Sequence, residues 1–215
     1  MNEKHGETGP VIVPTESWEL YKERWYEVAD LHDSGDVAGA VFQLKRLAGE
    51  GFSPALAELG DKYEFGGGGI DVDLAEAVEW YKKSVEAIDD VRSHIGLARI
   101  YLQSKELDPD RSLSFYHLKL LAETDTMAGW FGLGFAHQHG IGTDVDLDAA
   151  ETCFRNAVEK GHLVAGTHLA QVLLANDRPG GFKTGLRFIP RVLWMKMFRP
   201  RDPRLGFEYE PIAQE

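Results

Sequence analysis

Small and apolar residues recur along this chain in one pattern, met four times at nearly constant phase. Each copy reads as a segment L-G/A-x-x-Y/H, a bend, then Asp and a segment A-x-x-aromatic-aromatic. The leading anchors are Leu59-Gly60 with Tyr63, Leu97-Ala98 with Tyr101, Leu133-Gly134 with His137, and Leu169-Ala170 with Leu173, so successive copies lie 38, 36 and 36 residues apart. Apolar positions three and four residues apart predict helices, and equal steps of this size predict stacked copies of a two-helix unit.

The second helix of each unit keeps the same phase: Asp73, Ala77, Trp80-Tyr81; Asp108, Ser112, Phe115-Tyr116; Asp146, Ala150, Cys153-Phe154. A degenerate earlier copy is visible as Ser34-Gly35-Asp36, Ala40 and Gly49-Glu50-Gly51. Each Asp stands where a helix needs an N-cap, because its carboxylate accepts from the free N–H groups of the first turn and is favoured by the helix dipole. Glu76 completes a capping box with Asp73, and Pro109 after Asp108 suits the first position of a helix. Gly60, Ala77, Gly134 and Ala150 predict close approach of two helices.

These residues together, L-G-x-x-Y-x-x-G followed by D-x-x-x-A-x-x-W-Y-x-K, resemble the Sel-one-like repeat, a helical-hairpin relative of the tetratricopeptide repeat. The strongest copy is residues 55–87, ALAELGDKYEFGGGGIDVDLAEAVEWYKKSVEA, and residues 129–161 are similar, with His137 in the Tyr place and Cys153 in the Trp place. Copy two has Gln103-Ser104-Lys105 in place of the bend glycines, and the last copy lacks its Asp. The resemblance spans roughly residues 34–189, and several positions repeating together make it specific. It implies an all-α fold, a right-handed superhelical solenoid of helical hairpins, used for contact with other proteins and carrying no catalytic residues.

Composition fits a folded, water-soluble domain: 43% hydrophobic and 27% charged residues in a chain of 215. A single cysteine, Cys153, excludes an internal disulfide. The opening MNEKHGETGPVIVPTE has no basic segment followed by an apolar run, so a cytoplasmic location is expected. Charge is uneven. Residues 178–215 hold eight Lys/Arg against four Asp/Glu, and residues 1–177 hold 15 against 31. Such an acidic body is a poor partner for nucleic acid, whose binding needs clustered cations, and favours a basic protein or peptide.

The chain divides into a flexible arm over 1–14, a helical repeat region over 15–189 and a C-terminal capping helix with an extended tail over 190–215. Thr15 caps a first long helix, roughly 16–33. Pro190 is expected to interrupt the helix there, since it lacks an N–H and clashes with the preceding turn.

Apparent chemical sites dissolve on inspection. Asp144-Val145-Asp146-Leu147-Asp148 imitates a calcium loop, but Ala149 stands where Gly is needed and Arg155 where a bidentate Glu belongs. Gly66 to Gly69 lack the G-K-[ST] of a phosphate loop and read as a bend. His137 and His139 are two apart on a helix and point to different faces, unlike the i, i+4 ligand pair of H-E-x-x-H. Cys153 holds an aromatic's repeat position and reads as a packed thiol. No metal, no cofactor and no enzymatic activity are expected.

What remains is the inner surface made by successive first helices. Residues two and five places beyond each Leu anchor project onto it: Asp61 and Glu64, Arg99 and Leu102, Phe135 and Gln138, Gln171 and Leu174, with Phe131 and His139 as neighbours. An acidic end, an arginine and an aromatic patch suit an extended or helical peptide. The expected function is a non-enzymatic adaptor or scaffold that binds a protein or peptide on this concave face. The alternative is a peripheral membrane module docking through the basic amphipathic C-terminal segment. In that segment Leu186, Phe188, Ile189, Val192, Leu193, Trp194, Met197 and Phe198 alternate with Arg187, Arg191, Lys196 and Arg199. These apolar side chains need cover: the last hairpin, with Trp194 against Leu169 and Leu173, or else self-association, a partner or a membrane surface reached through Leu186, Trp194 and Phe198.

Overall fold

The computed structural model describes residues 15–67, 69–108 and 111–198, with the side chains of 15–17 and 198 outside the description. The arm over 1–14, the Thr15 cap, Pro109, the Phe198 side chain and the extended tail therefore lie outside the described residues. Among the described residues, ten helices follow one another: α1 (Thr15–Asp33), α2 (Val37–Gly49), α3 (Ser53–Phe65), α4 (Leu74–Ile88), α5 (Val91–Gln103), α6 (Ser112–Glu123), α7 (Met127–His139), α8 (Leu147–Glu159), α9 (Leu163–Ala175) and α10 (Gly181–Phe198).

 The pairs α1/α2, α3/α4, α7/α8 and α9/α10 pack as hairpins, and no strand occurs among the described residues beyond an isolated bridge between Gly67 and Ile70. The fold is all-α, built of the helical hairpins that the repeat predicts. It forms two compact units, one through Leu97 and one from Ala98 onward.

In the first unit the core is Leu44, Leu47, Phe52, Leu56 and Leu59, against which Tyr21, Trp25 and Val28 of α1 pack. Phe52 collects this helix: the rings of Trp18, Tyr21 and Trp25 lie 6.0, 5.0 and 5.6 Å from its own. Arg24 adds a two-pronged bond to Glu50, at 2.6 and 2.9 Å.

The repeat aspartates close the hairpins from both ends. The Asp73 carboxylate accepts from the N–H groups of Ala75 and Glu76, each at 3.0 Å, and Asp146 accepts from Asp148 and Ala149 at 3.0 and 2.9 Å. Their own N–H groups donate backwards, Asp73 to the Tyr63 carbonyl at 2.8 Å and Asp146 to the His137 carbonyl at 2.9 Å. One residue thus satisfies free donors of the second helix and a free acceptor at the end of the first. This replaces the expected capping box, because the Asp73 N–H is committed to Tyr63 and not to Glu76. The bend between them uses glycine where φ demands it: Gly66, Gly67 and Gly69 sit at 73°, 106° and 75°.

Copy two departs from its sequence reading. Its second helix is described from Ser112 onward, and Asp108 serves it, accepting from the Ser114 N–H at 2.9 Å across the connection. Without bend glycines, Arg111 takes the left-handed φ of 60°.

Close helix approach is set by small residues. A Cβ added at Gly134 would lie 2.9 Å from the Phe154 ring and 3.0 Å from the Cys153 Cβ. Gly134→Leu is therefore expected to overpack the α7/α8 hairpin and cost about 1–3 kcal/mol or more; an unchanged melting midpoint in thermal denaturation would show that the hairpin has room there.

The C-terminal helix corrects two expectations. α10 runs unbroken through Pro190, so the 189/190 division falls inside a helix. The backbone bond that proline cannot make belongs to the carbonyl of Leu186, a residue on the solvent side of the helix. Helical phase then puts Phe188, Val192 and Met195 on one face, buried against α9 at 6%, 7% and 5% exposure, while Trp194 is 52% exposed and not the buried cap expected of it. Leu186, Ile189, Leu193 and Met197 are also exposed.

Candidate partner-binding face

In the first unit, Asp61 and Glu64 of α3 are joined by a side chain from α4. The Tyr81 hydroxyl reaches Asp61 at 2.5 Å and Glu64 at 2.8 Å. It gets there because glycines flank its ring: a Cβ at Gly60 would lie 2.4 Å from it, and one at Gly96 2.5 Å. Burial, and then the hydrogen bond to Asp61, push the Tyr81 phenol well above its ordinary range, so it stays a donor at any ordinary pH. Glu64 is buried, whereas Asp61 is half-buried and faces Arg92 at 3.5 Å. The carboxylates projected onto this face are thus tied to its frame, and Asp61 with Arg92 and Glu58 forms its polar rim.

The second unit carries Arg99, Phe131, Phe135, Gln138, His139 and Gln171. Arg99 on α5 is half-buried. Phe131 and Phe135 do not form the exposed aromatic patch that helical projection suggested. Phe131 is 2% exposed and Phe135 9%, because α9 packs over them. The His162 ring stacks on Phe131 at 4.1 Å, and His168 stands edge-on to Phe131 and Phe135 at 5.4 and 5.6 Å and against Phe154 at 5.3 Å. His139 is exposed, its ring 4.3 Å from Phe135.

Polar groups sit along the edge of this aromatic block. The Gln138 carbonyl accepts from His168 Nδ1 at 2.8 Å, and its amide donates to Gln171 Oε1 at 3.4 Å. Gln171 is exposed, as is Leu174 one turn on. Gln138, His139 and Gln171 thus present amide and imidazole groups to solvent from a rigid backing, while Phe131 belongs to the backing itself.

Sequence reasoning missed His162 and His168, which the structure makes central. His162 is the N-cap of α9, with Nδ1 accepting from the Ala165 N–H at 3.0 Å. Its place directly ahead of Leu163 was the available signal. Burial is the main cause that lowers both histidines to about 4. Burial pushes the Cys153 thiol up to about 11, with Asp146 adding to the effect, as suits a packed thiol and not a nucleophile. Among the described residues no cluster of His, Cys, Asp or Glu has the makings of a metal site, and no helix is long and apolar enough to cross a membrane.

Comparison with known proteins agrees with this construction. The Sel1 repeat pattern matches residues 53–89, 91–123 and 131–162. An uncharacterized protein of Neisseria meningitidis serogroup B is 31% identical over 150 residues, 69% of this chain. The chain spans only 31% of that relative's length. Among solved structures, a Sel1 repeat protein from Oxalobacter formigenes aligns with a TM-score of 0.63 at 21% identity, covering 80% of this chain and 74% of its own. A protective antigen of uropathogenic Escherichia coli strains, described as displaying an SLR fold, aligns with a TM-score of 0.57 at 19% identity over 82% of this chain and 45% of its own. With three matched repeats, each laid on the helices that its phase predicts, the chain belongs to the Sel1 repeat family.

Proposed function

We propose that the protein is a non-enzymatic adaptor or scaffold that binds a protein or peptide on the faces of its first helices. Sel1 repeat proteins are in general protein-interaction modules, and the observation that carries the reading here is the edge of Gln138, His139 and Gln171 beside exposed Leu174. Hydrogen-bonding groups held on a packed aromatic block lose little freedom when a partner's backbone meets them. Asp61 and Glu64 in the first unit, and Arg99 and Phe135 in the second, frame these faces. The acidic residues 1–177 draw a basic partner. The cytoplasm is the proposed location, and buried, unpaired Cys153 suits its reducing conditions.

Affinity capture with the intact chain, followed by titration of the captured partner, tests the reading. Arg99→Glu and Gln171→Arg are expected to weaken binding about tenfold or more each, and the melting midpoint is expected to hold for Gln171→Arg, whose side chain is exposed. Glu79→Lys, on the exposed outer side of α4, is expected to leave affinity unchanged. Equal losses from all three would place the partner on another surface.

A second reading, a peripheral membrane module, is favoured by α10, whose exposed apolar side chains lie beside Lys183, Arg187 and Arg191 with no acidic residue in the helix. Flotation of the lipid-mixed protein with anionic vesicles, lost on Leu186→Glu with Leu193→Glu, is the result it requires.

A further inference from the structure

The first and last helices among the described residues, α1 and α10, present faces of opposite character. On α10, Phe182, Leu186, Ile189, Leu193 and Met197 follow one another at helical spacing and are 73%, 63%, 47%, 60% and 70% exposed. Lys183, Arg187 and Arg191, all exposed, run beside them at i, i+4, i+8. On α1 the face turned away from the Phe52 core carries Glu19, Glu23, Glu27 and Asp30, all exposed, around Leu20 and Tyr26 at 69% and 58% exposure. The helix sequence TESWELYKERWYEVADLHD holds six acidic residues and two of Lys or Arg, and that of α10 holds four of Lys or Arg and no acidic residue. The two are also matched in length, 19 and 18 residues.

A helix on the outside of a repeat stack keeps the chain soluble when its outward face is polar. α1 has such a face and α10 does not. We infer that the apolar stripe of α10 docks on the acidic outer face of α1 in a second copy of this chain, so that copies associate head to tail. Leu20 and Tyr26 then meet the stripe while the α1 carboxylates meet Lys183, Arg187 and Arg191. Pairing α10 with α10 instead would set the three cations of one copy against those of the other, a like-charge juxtaposition that disfavours it. A contact between two different surfaces leaves one free end of each kind, so association is open-ended unless its rotation closes a ring. This surface is separate from the partner-binding edge of α7 and α9, and loss of either leaves the other in place.

Sedimentation of the full chain over a wide concentration range tests the inference. Mass that grows with concentration, and falls back as salt rises, is expected. Arg187→Glu with Arg191→Glu, and separately Glu23→Lys with Asp30→Lys, should each give monomer with an unchanged melting midpoint. The four substitutions combined in one chain restore the opposite charges and should restore association, a rescue that a merely misfolded variant cannot give. Three results would overturn it: a wild-type monomer at every concentration, association indifferent to the α1 substitutions, or a monomer that floats with anionic vesicles, which assigns the stripe to lipid.

Discussion

Lowering the pH from 7 to 4 is expected to remove about 3–6 kcal/mol of stability from the second unit, because one buried histidine and one half-buried histidine must then take up protons they cannot hold. His162 and His168 are lowered to about 4 from an ordinary 6.5, first by burial, then by His168 in the case of His162 and by His139 in the case of His168. In the unfolded chain both bind a proton near 6.5. Between 6.5 and 4 the unfolded state therefore holds more protons, and stability falls as pH falls through that window. Above it the contribution is complete. The geometry makes the cost concrete at His162, whose Nδ1 accepts the Ala165 N–H: protonation there turns an acceptor into a donor and removes the cap of α9. Urea unfolding at pH 7 and pH 4.5 checks this, with His162→Asn, which keeps a capping oxygen, and His168→Gln each expected to flatten the curve. Equal flatness in the wild type would mean that the pocket protonates without strain.

The same histidines show what the sequence could and could not disclose. Hairpin architecture was legible because its signals are local: Asp73 and Asp146 cap within three residues, and Ala77, Tyr81 and Ser84 recur as Ala150, Phe154 and Ala157 on the buried side of α4 and α8. The site was less so, because helical projection locates a face but not what packs over it. Phe131 and Phe135 lie on the expected side of α7, and α9 covers them. Glu64 projects inward as expected, yet the Tyr81 hydroxyl, brought from another helix between two glycines, already holds it. Where copies differ, the difference is coordinated. Tyr81 with Asp61 and Glu64 in one copy becomes Phe154 with Phe135 and Gln138 in another, where the missing hydroxyl is matched by an aromatic neighbour and an amide that turns to His168. Asp108 is a third case. Its capping role was readable, but the helix start was not, since a side chain that reaches across a connection leaves no fixed spacing in the sequence.

Phe188→Ala is expected to destabilise by about 3–5 kcal/mol, and Trp194→Ala by clearly less, although both remove a large aromatic from the same helix. The difference is steric. Phe188 is 6% exposed and lies so close to α9 that a Cβ at Gly166 would sit 2.2 Å from its ring. Truncating it empties a site walled by two helices, which cannot collapse without moving their backbones. Trp194, six residues and therefore well round the helix from Phe188, is 52% exposed. Its fluorescence, read with the other four tryptophans replaced, should be solvent-like in the monomer, the reverse of what a buried cap requires. Capping of the second unit thus rests on Phe188, Val192 and Met195, which leaves the opposite stripe of α10 free for an occupant. Comparable losses from the two substitutions, with a blue-shifted Trp194, would mean that the helix is turned about its axis and that the stripe is already covered.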